Sequence, residues 1–221
     1  MTRVLVVAKA PVAGRSKTRL GADVGMDAAA ELAAASLLDV LDASTSAVGA
    51  GSCHLALSGD LADGVRAAEL ETALAGWTVR PQVDGDLGRR LAHAHAGVGP
   101  GPVVQVGMDT PQLTAALLHE VLAGLEDHEA VLAPAADGGW WALALRDPAR
   151  AAVLERVPMS TPTTYDDTRA ALEADGLRVT DAPGLTDVDT ADDAAEVAGT
   201  APASRFAQEW LLRQPVAEPG L

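Results

Sequence analysis

Short apolar runs recur along the chain, separated by segments in which apolar positions return every three or four residues. Val4-Leu5-Val6-Val7-Ala8 and Val103-Val104-Gln105-Val106 are nearly continuous hydrophobic runs, the pattern of strands buried on both faces. Strands are predicted over 3–9, 52–58, 77–83, 102–107, 129–135, 139–145 and 177–181. From Met26 to Ala43, the acidic residues Asp27, Glu31, Asp39 and Asp42 stand among Ala and Leu, as in an amphipathic helix. Further helices are predicted over 64–75, 87–97, 114–125, 162–175, 190–198 and 204–213. Strands alternating with helices indicate βαβ units, so the expected fold is α/β: a three-layer α/β/α sandwich around a mainly parallel, Rossmann-like seven-stranded sheet. A chain of 221 residues suits one domain over 1–213, with 214–221, which holds Pro215 and Pro219, as a flexible tail.

Charge narrows the partners. The net charge of −15 would repel a phosphate backbone, so neither nucleic acid nor a membrane is an expected partner. A single cysteine, Cys53, excludes an internal disulfide framework and reads as a core residue. The N-terminal apolar run is too short for a signal peptide or a membrane span, so a cytoplasmic protein is expected. None of the five histidines has metal-ligand spacing.

Against this acidic background the only two lysines, Lys9 and Lys17, fall in one loop after the first strand, together with Gly14, Arg15 and Arg19. A glycine that admits close approach and a cluster of cations suit the phosphates of a small ligand. The competing reading is a solvated basic turn. The loop lacks the second glycine of a P-loop. Four other segments are candidates. Gly107-Met108-Asp109-Thr110-Pro111 puts a carboxylate just past a buried strand, where it serves either a hard cation such as Mg²⁺ or a turn. Asp137-Gly138-Gly139-Trp140-Trp141 reads as a hairpin whose two tryptophans point to opposite faces, one of them toward a ligand. Asp187-Val188-Asp189-Thr190 enters a helix that Thr190 caps, which leaves Asp187 and Asp189 to supply carboxylates to the ion at Asp109. Gly85-Asp86-Leu87-Gly88-Arg89 suits either a base or ribose contact or a capped helix start.

In this order and spacing, from about Val4 to Asp193, these segments resemble the GT-A and nucleotidyltransferase superfamily. They look most like a GT-A-type glycosyltransferase family associated with arsenosugar or radical-SAM/selenodomain gene sets. Lys17-Thr18-Arg19-Leu20 and Asp187-Val188-Asp189-Thr190 are also similar to elements of 2-phospholactate guanylyltransferases and molybdenum-cofactor nucleotidyltransferases. Trp140 stands where family members often carry Tyr, and Met159 where they often carry an aromatic residue. The resemblance implies Mg²⁺ or Mn²⁺ at Asp109, Asp187 and Asp189, and donor phosphates at Lys9, Gly14, Arg15, Lys17 and Arg19, with Gly85, Gly88 and Arg89 beside the nucleotide. It implies an acceptor side at Asp137 to Trp141 with Ser160 and Thr161. Lys17, Asp109 and Asp137 are the implied catalytic residues. The cationic loop suits nucleotidyl transfer from a nucleoside triphosphate to a small phosphorylated acceptor, because pyrophosphate leaves bearing charge that Lys17 and Arg15 or Arg19 can neutralise. The alternatives are glycosyl transfer from a nucleotide sugar, with Asp137 as base, and a non-catalytic nucleotide-binding module. A separation of the Asp109 and Asp189 carboxylates beyond roughly 8 Å would exclude one shared ion.

Overall fold

The apolar runs form strands β1 (Arg3–Lys9), β2 (Cys53–Ser58), β3 (Thr78–Pro81), β4 (Val103–Val106), β5 (Ala130–Pro134), β6 (Trp140–Leu145) and β7 (Val179–Asp181). The computed structural model describes residues 1–213; the expected tail, 214–221, lies outside the described residues. The seven strands make one sheet in the order β3-β2-β1-β4-β6-β5-β7. Neighbours are parallel except that β6 runs antiparallel to both β4 and β5. Since β6 returns from β5 through a tight turn, it begins at the rim where the other strands end. The carboxyl ends of β1, β4, β5 and β7 therefore share that rim with Trp140 and Trp141, at the edge where open α/β sheets bind ligands.

The helices are α1 (Thr18–Val24), α2 (Met26–Val48), α3 (Ala67–Ala73), α4 (Leu87–Val98), α5 (Ala115–Ala123), α6 (Thr164–Ala174), α7 (Ala191–Thr200) and α8 (Arg205–Arg213). Asp86 caps α4 by accepting from the Arg89 amide, and Thr190 and Asp193 form a capping box on α7. α1 and a 3-10 stretch at Pro148–Arg156 were not expected from the pattern, and α2 runs five residues past the predicted Ala43. Ser44 is accommodated in that extension because its hydroxyl donates back to the Val40 carbonyl at 2.7 Å.

Both sheet faces are covered. Val4, Val6, Val104 and Val106 pack with Leu37 and Leu41 of α2 and Leu118 of α5, while Leu5, Val103, Leu132 and Leu143 pack with Leu91 of α4 and Leu172 of α6. Burial accounts for the expected inertness of Cys53, whose thiol is pushed up to about 12. A third cluster joins Leu20, Leu32, Val197, Phe206 and Trp210 around Val188, so the residue between Asp187 and Asp189 is itself a core anchor. On α4, Gly88 is needed for packing: a Cβ there would stand 2.2 Å from the Leu154 carbonyl oxygen.

α4 also carries His95, which is fully buried with Nε2 at 2.9 Å from Gln105 Oε1 on β4. Burial outweighs that hydrogen bond and lowers the imidazole's pKa from 6.5 to about 4. Between those values the unfolded chain binds the proton that the folded chain refuses, so stability should fall as the pH drops from 6.5 toward 4, by on the order of 3 kcal/mol. Denaturant titrations across that window should show a shallower slope for His95→Leu than for the native chain.

Candidate functional site

Lys17 closes the loop that follows β1, in a left-handed backbone conformation (φ 50°) that is strained for a residue with a side chain. Its side chain is only 9% exposed, and Nζ lies 2.9 Å from Oδ1 of Asp109 and 2.9 Å from Oδ1 of Asp189. Burial opposes the charge most strongly, but the two carboxylates together outweigh it and hold the ammonium above the ordinary lysine pKa. Arg19, largely exposed, reaches the other Asp189 oxygen at 3.3 Å. Burial would raise the Asp189 carboxyl, yet Lys17 and Arg19 bring it below its usual range.

The two carboxylate loops are tied to each other by backbone: the Val188 amide donates to the Asp109 carbonyl at 2.9 Å. Asp109 and Asp189 place their Oδ1 atoms no farther apart than twice the 2.9 Å distance to Lys17, well inside the roughly 8 Å limit for sharing one ion. Two observations fit a divalent cation there. Asp109 Oδ1 is buried with no properly directed hydrogen bond, the Lys17 ammonium being close but badly aligned. Asp187, half-buried, has its pKa pushed up to about 7 by burial and then by Asp109, Asp137 and Asp189, against Lys17. Negative charge here exceeds what one lysine balances. Among the described residues, no group of three or more Asp, Glu, His or Cys side chains is arranged to hold an ion, so Asp109, Asp187 and Asp189 are not brought together as the three-carboxylate set expected from sequence. The remaining ligands would thus be donor phosphate oxygens and water, a usual arrangement for Mg²⁺.

Two adjoining cavities open along the rim. The larger, about 400 Å³, has Lys9, Lys17, Arg19 and Arg90 on its wall with Gln82 and Asp189. The smaller, about 230 Å³, takes Asp137, Trp140, Met159, Thr161 and Asp187. Val7, Leu87, Asp109 and Ser160 belong to both. Ser160 is also held at positive φ (60°), so two strained residues, Lys17 and Ser160, line the larger cavity.

The hairpin turn builds the smaller cavity. Asp137 accepts from the Gly139 amide at 2.8 Å, and the Tyr165 amide donates to the Gly138 carbonyl at 2.9 Å. Trp141 is buried and donates to the Pro183 carbonyl; Trp140, half-buried on the other face, donates to Thr168. Gly138 has φ 89°, and a Cβ there would fall 2.2 Å from the Pro162 carbonyl oxygen. Gly138→Ala should therefore cost about 2 kcal/mol or more and disturb the smaller cavity. Thermal unfolding measures the loss.

Not every residue singled out from sequence reaches the groove. Gly14 and Arg15 line neither cavity; Arg15 turns to a separate depression beside Ser58 and Asp60. Gly85 and Arg89 also stand outside, and Gly88 serves helix packing as described. Arg90 occupies the place expected of Arg89, and its Nη1 donates to Gln82 Oε1 at 3.2 Å. Helical spacing carried that signal, because Leu87, Arg90 and Leu91 share a face that Arg89 leaves. Gln82, three residues ahead of Gly85, donates to the Ala8 and Ala56 carbonyls at 2.9 Å and joins β1 to β2 beside the cavity.

Residues 40–161, more than half of the chain, match the model of a family described as "Uncharacterized protein conserved in bacteria (DUF2064)". The chain belongs to this family. Its architecture is shared with solved structures. A protein of Desulfovibrio desulfuricans G20 provisionally named a nucleotide-diphospho-sugar transferase is 27% identical over 96% of this chain and 93% of that one, with a TM-score of 0.82. CMP:2-keto-3-deoxy-manno-octonic acid synthetase, solved with CTP, has the same fold at 13% identity, covering 94% of this chain and 99% of that one (TM-score 0.58). So does Rv0371C of Mycobacterium tuberculosis H37Rv, solved with manganese, at 23% identity over 89% and 97% of the two chains (TM-score 0.51). No curated protein matches the chain. The expected seven-stranded, mainly parallel α/β fold of nucleotide-diphospho-sugar transferase type is thus the fold observed.

Proposed function

We propose that this protein is a metal-dependent, nucleotide-using transferase that moves a nucleotidyl group from a nucleoside triphosphate to a small hydroxyl acceptor and releases pyrophosphate. One observation carries the reading: a cavity walled by Lys9, Lys17, Arg19 and Arg90 meets a second, differently lined cavity at Asp109. Phosphates placed in the basic cavity have cations along their length, and charge developing on a pyrophosphate leaving group is met there. Neighbours of the same fold include a synthetase solved with CTP and a protein solved with manganese, which supports both the donor class and the ion.

Asp109 and Asp189 would hold Mg²⁺ or Mn²⁺ together with donor phosphate oxygens and water, and the ion would supply neutralisation of those phosphates. Lys17 keeps the two carboxylates together and is the nearest protein cation to phosphates entering that side. Arg19 and Arg90 flank the same path. Ser160 and Asp109, common to both cavities, mark where the acceptor hydroxyl meets the donor. Asp137, on the acceptor side, is placed to take the proton released from that hydroxyl.

Glycosyl transfer is the second reading, favoured by the name carried by the Desulfovibrio relative. Incubating the protein with Mg²⁺, nucleoside triphosphates or nucleotide sugars and an acceptor panel separates the readings. Pyrophosphate release supports nucleotidyl transfer, and nucleoside diphosphate release supports glycosyl transfer. Tight nucleotide binding with neither product would reduce the protein to a binding module.

A further inference from the structure

The charge of the groove changes sign along its length. The larger cavity gathers four basic side chains, whereas no lysine, arginine or histidine among the described residues lines the smaller one. The smaller cavity instead presents the carboxylates of Asp109, Asp137 and Asp187 and an apolar wall of Leu87, Leu91, Trp140 and Met159. The indole and turn N–H groups of this cavity are already engaged. Trp140 Nε1 donates to Thr168 and Trp141 Nε1 to Pro183, so both indoles offer ring surface rather than an N–H. The amides of Gly138, Gly139 and Thr161 donate to Ala135, Asp137 and Thr164, which leaves these turns no nest for an anion. Asp109 is paired with Lys17 from the other cavity, so the carboxylate left to face an anionic group here is that of Asp137, and no basic side chain on the smaller cavity's own wall, among the described residues, would answer such a group.

Resting on the transfer reading, we propose that the acceptor is a hydroxyl compound without an anionic group, seated through an apolar portion against Trp140, Met159, Leu87 and Leu91. This replaces the phosphorylated acceptor expected from sequence. A space of about 230 Å³ admits a small molecule of this kind. The hydroxyl of Ser160 lies on the same wall as a partner for the acceptor's polar atoms.

The test uses the whole chain with Mg²⁺ and pairs of probes differing by one phosphate: aryl glycosides, benzyl alcohols and amino alcohols, each beside its phosphate ester. Binding is followed by saturation-transfer NMR and by the quenching of tryptophan fluorescence, with Trp140→Phe identifying the responding ring. At least one unphosphorylated probe should bind, and its ester should bind more than about tenfold more weakly. Asp137→Asn should narrow that gap and Thr161→Lys should narrow it further. Esters that bind as well as or better than their parents, or a panel in which no unphosphorylated probe binds, would overturn the proposal. Donor affinity is titrated separately with nucleoside triphosphates and nucleotide sugars. Failure there removes the transfer reading, while the ranking of the probe pairs still decides the character of the cavity.

Discussion

Asp109→Asn should lower turnover by about a thousandfold while leaving the fold nearly as stable as before. The side chain touches both cavities, stands beside the only buried lysine and carries a carboxylate oxygen without a directed partner. Its loop does not depend on that carboxylate for position, because the bond from the Val188 amide goes to the Asp109 backbone carbonyl. Lys17 also keeps its contact to Asp189. Product release assayed beside thermal unfolding separates the two effects. Full activity in this variant would remove Asp109 from the mechanism, and loss of folding would make its role structural.

Lys17→Ala should be the more damaging change to the molecule as a whole. Removing a buried ammonium leaves Asp109 and Asp189 facing each other without their shared counter-charge, and breaking such a pair costs more than the pair contributes. Since both carboxylates are over a third exposed, water screens part of this, and a loss of about 2 kcal/mol is expected. Mn²⁺ or Mg²⁺ should restore melting temperature to the variant by more than it stabilises the native chain, because an ion binding folded protein adds to stability and here replaces the missing charge. Equal shifts in both proteins would separate Lys17 from the ion. Donor use should fall much further than in Lys9→Ala, whose exposed side chain makes no comparable pair.

The strands were legible because burial on two faces imposes runs of Val, Leu and Ala that few other elements require, and all seven predicted strands are present. An apolar run reads alike in either direction, however, so the reversal of β6 rested only on the Asp137-Gly138-Gly139 turn before it. α1 stayed hidden because it is short and contains Gly21 and Asp23, neither of which favours helix. The four site loops were visible as places where an apolar run ends in charge. How they meet was not: Lys17 and Asp189 are 172 positions apart, and only the fold makes the lysine the partner of the very carboxylates expected to hold an ion. Nor was the division of charge visible, since basic and acidic loops alternate along the chain but separate into two cavities across the rim.

The reversed strand has an evolutionary consequence. Because β6 returns to the rim as half of a hairpin, the turn that shapes the smaller cavity is local in sequence, while the basic wall is assembled from β1, its loop and α4. The two compartments hold only four residues in common. On the transfer reading, a lineage can therefore rewrite the hairpin and adopt a new acceptor while inheriting its phosphate-handling side intact, and a laboratory graft of that turn between relatives should redirect choice of acceptor without retraining the choice of donor.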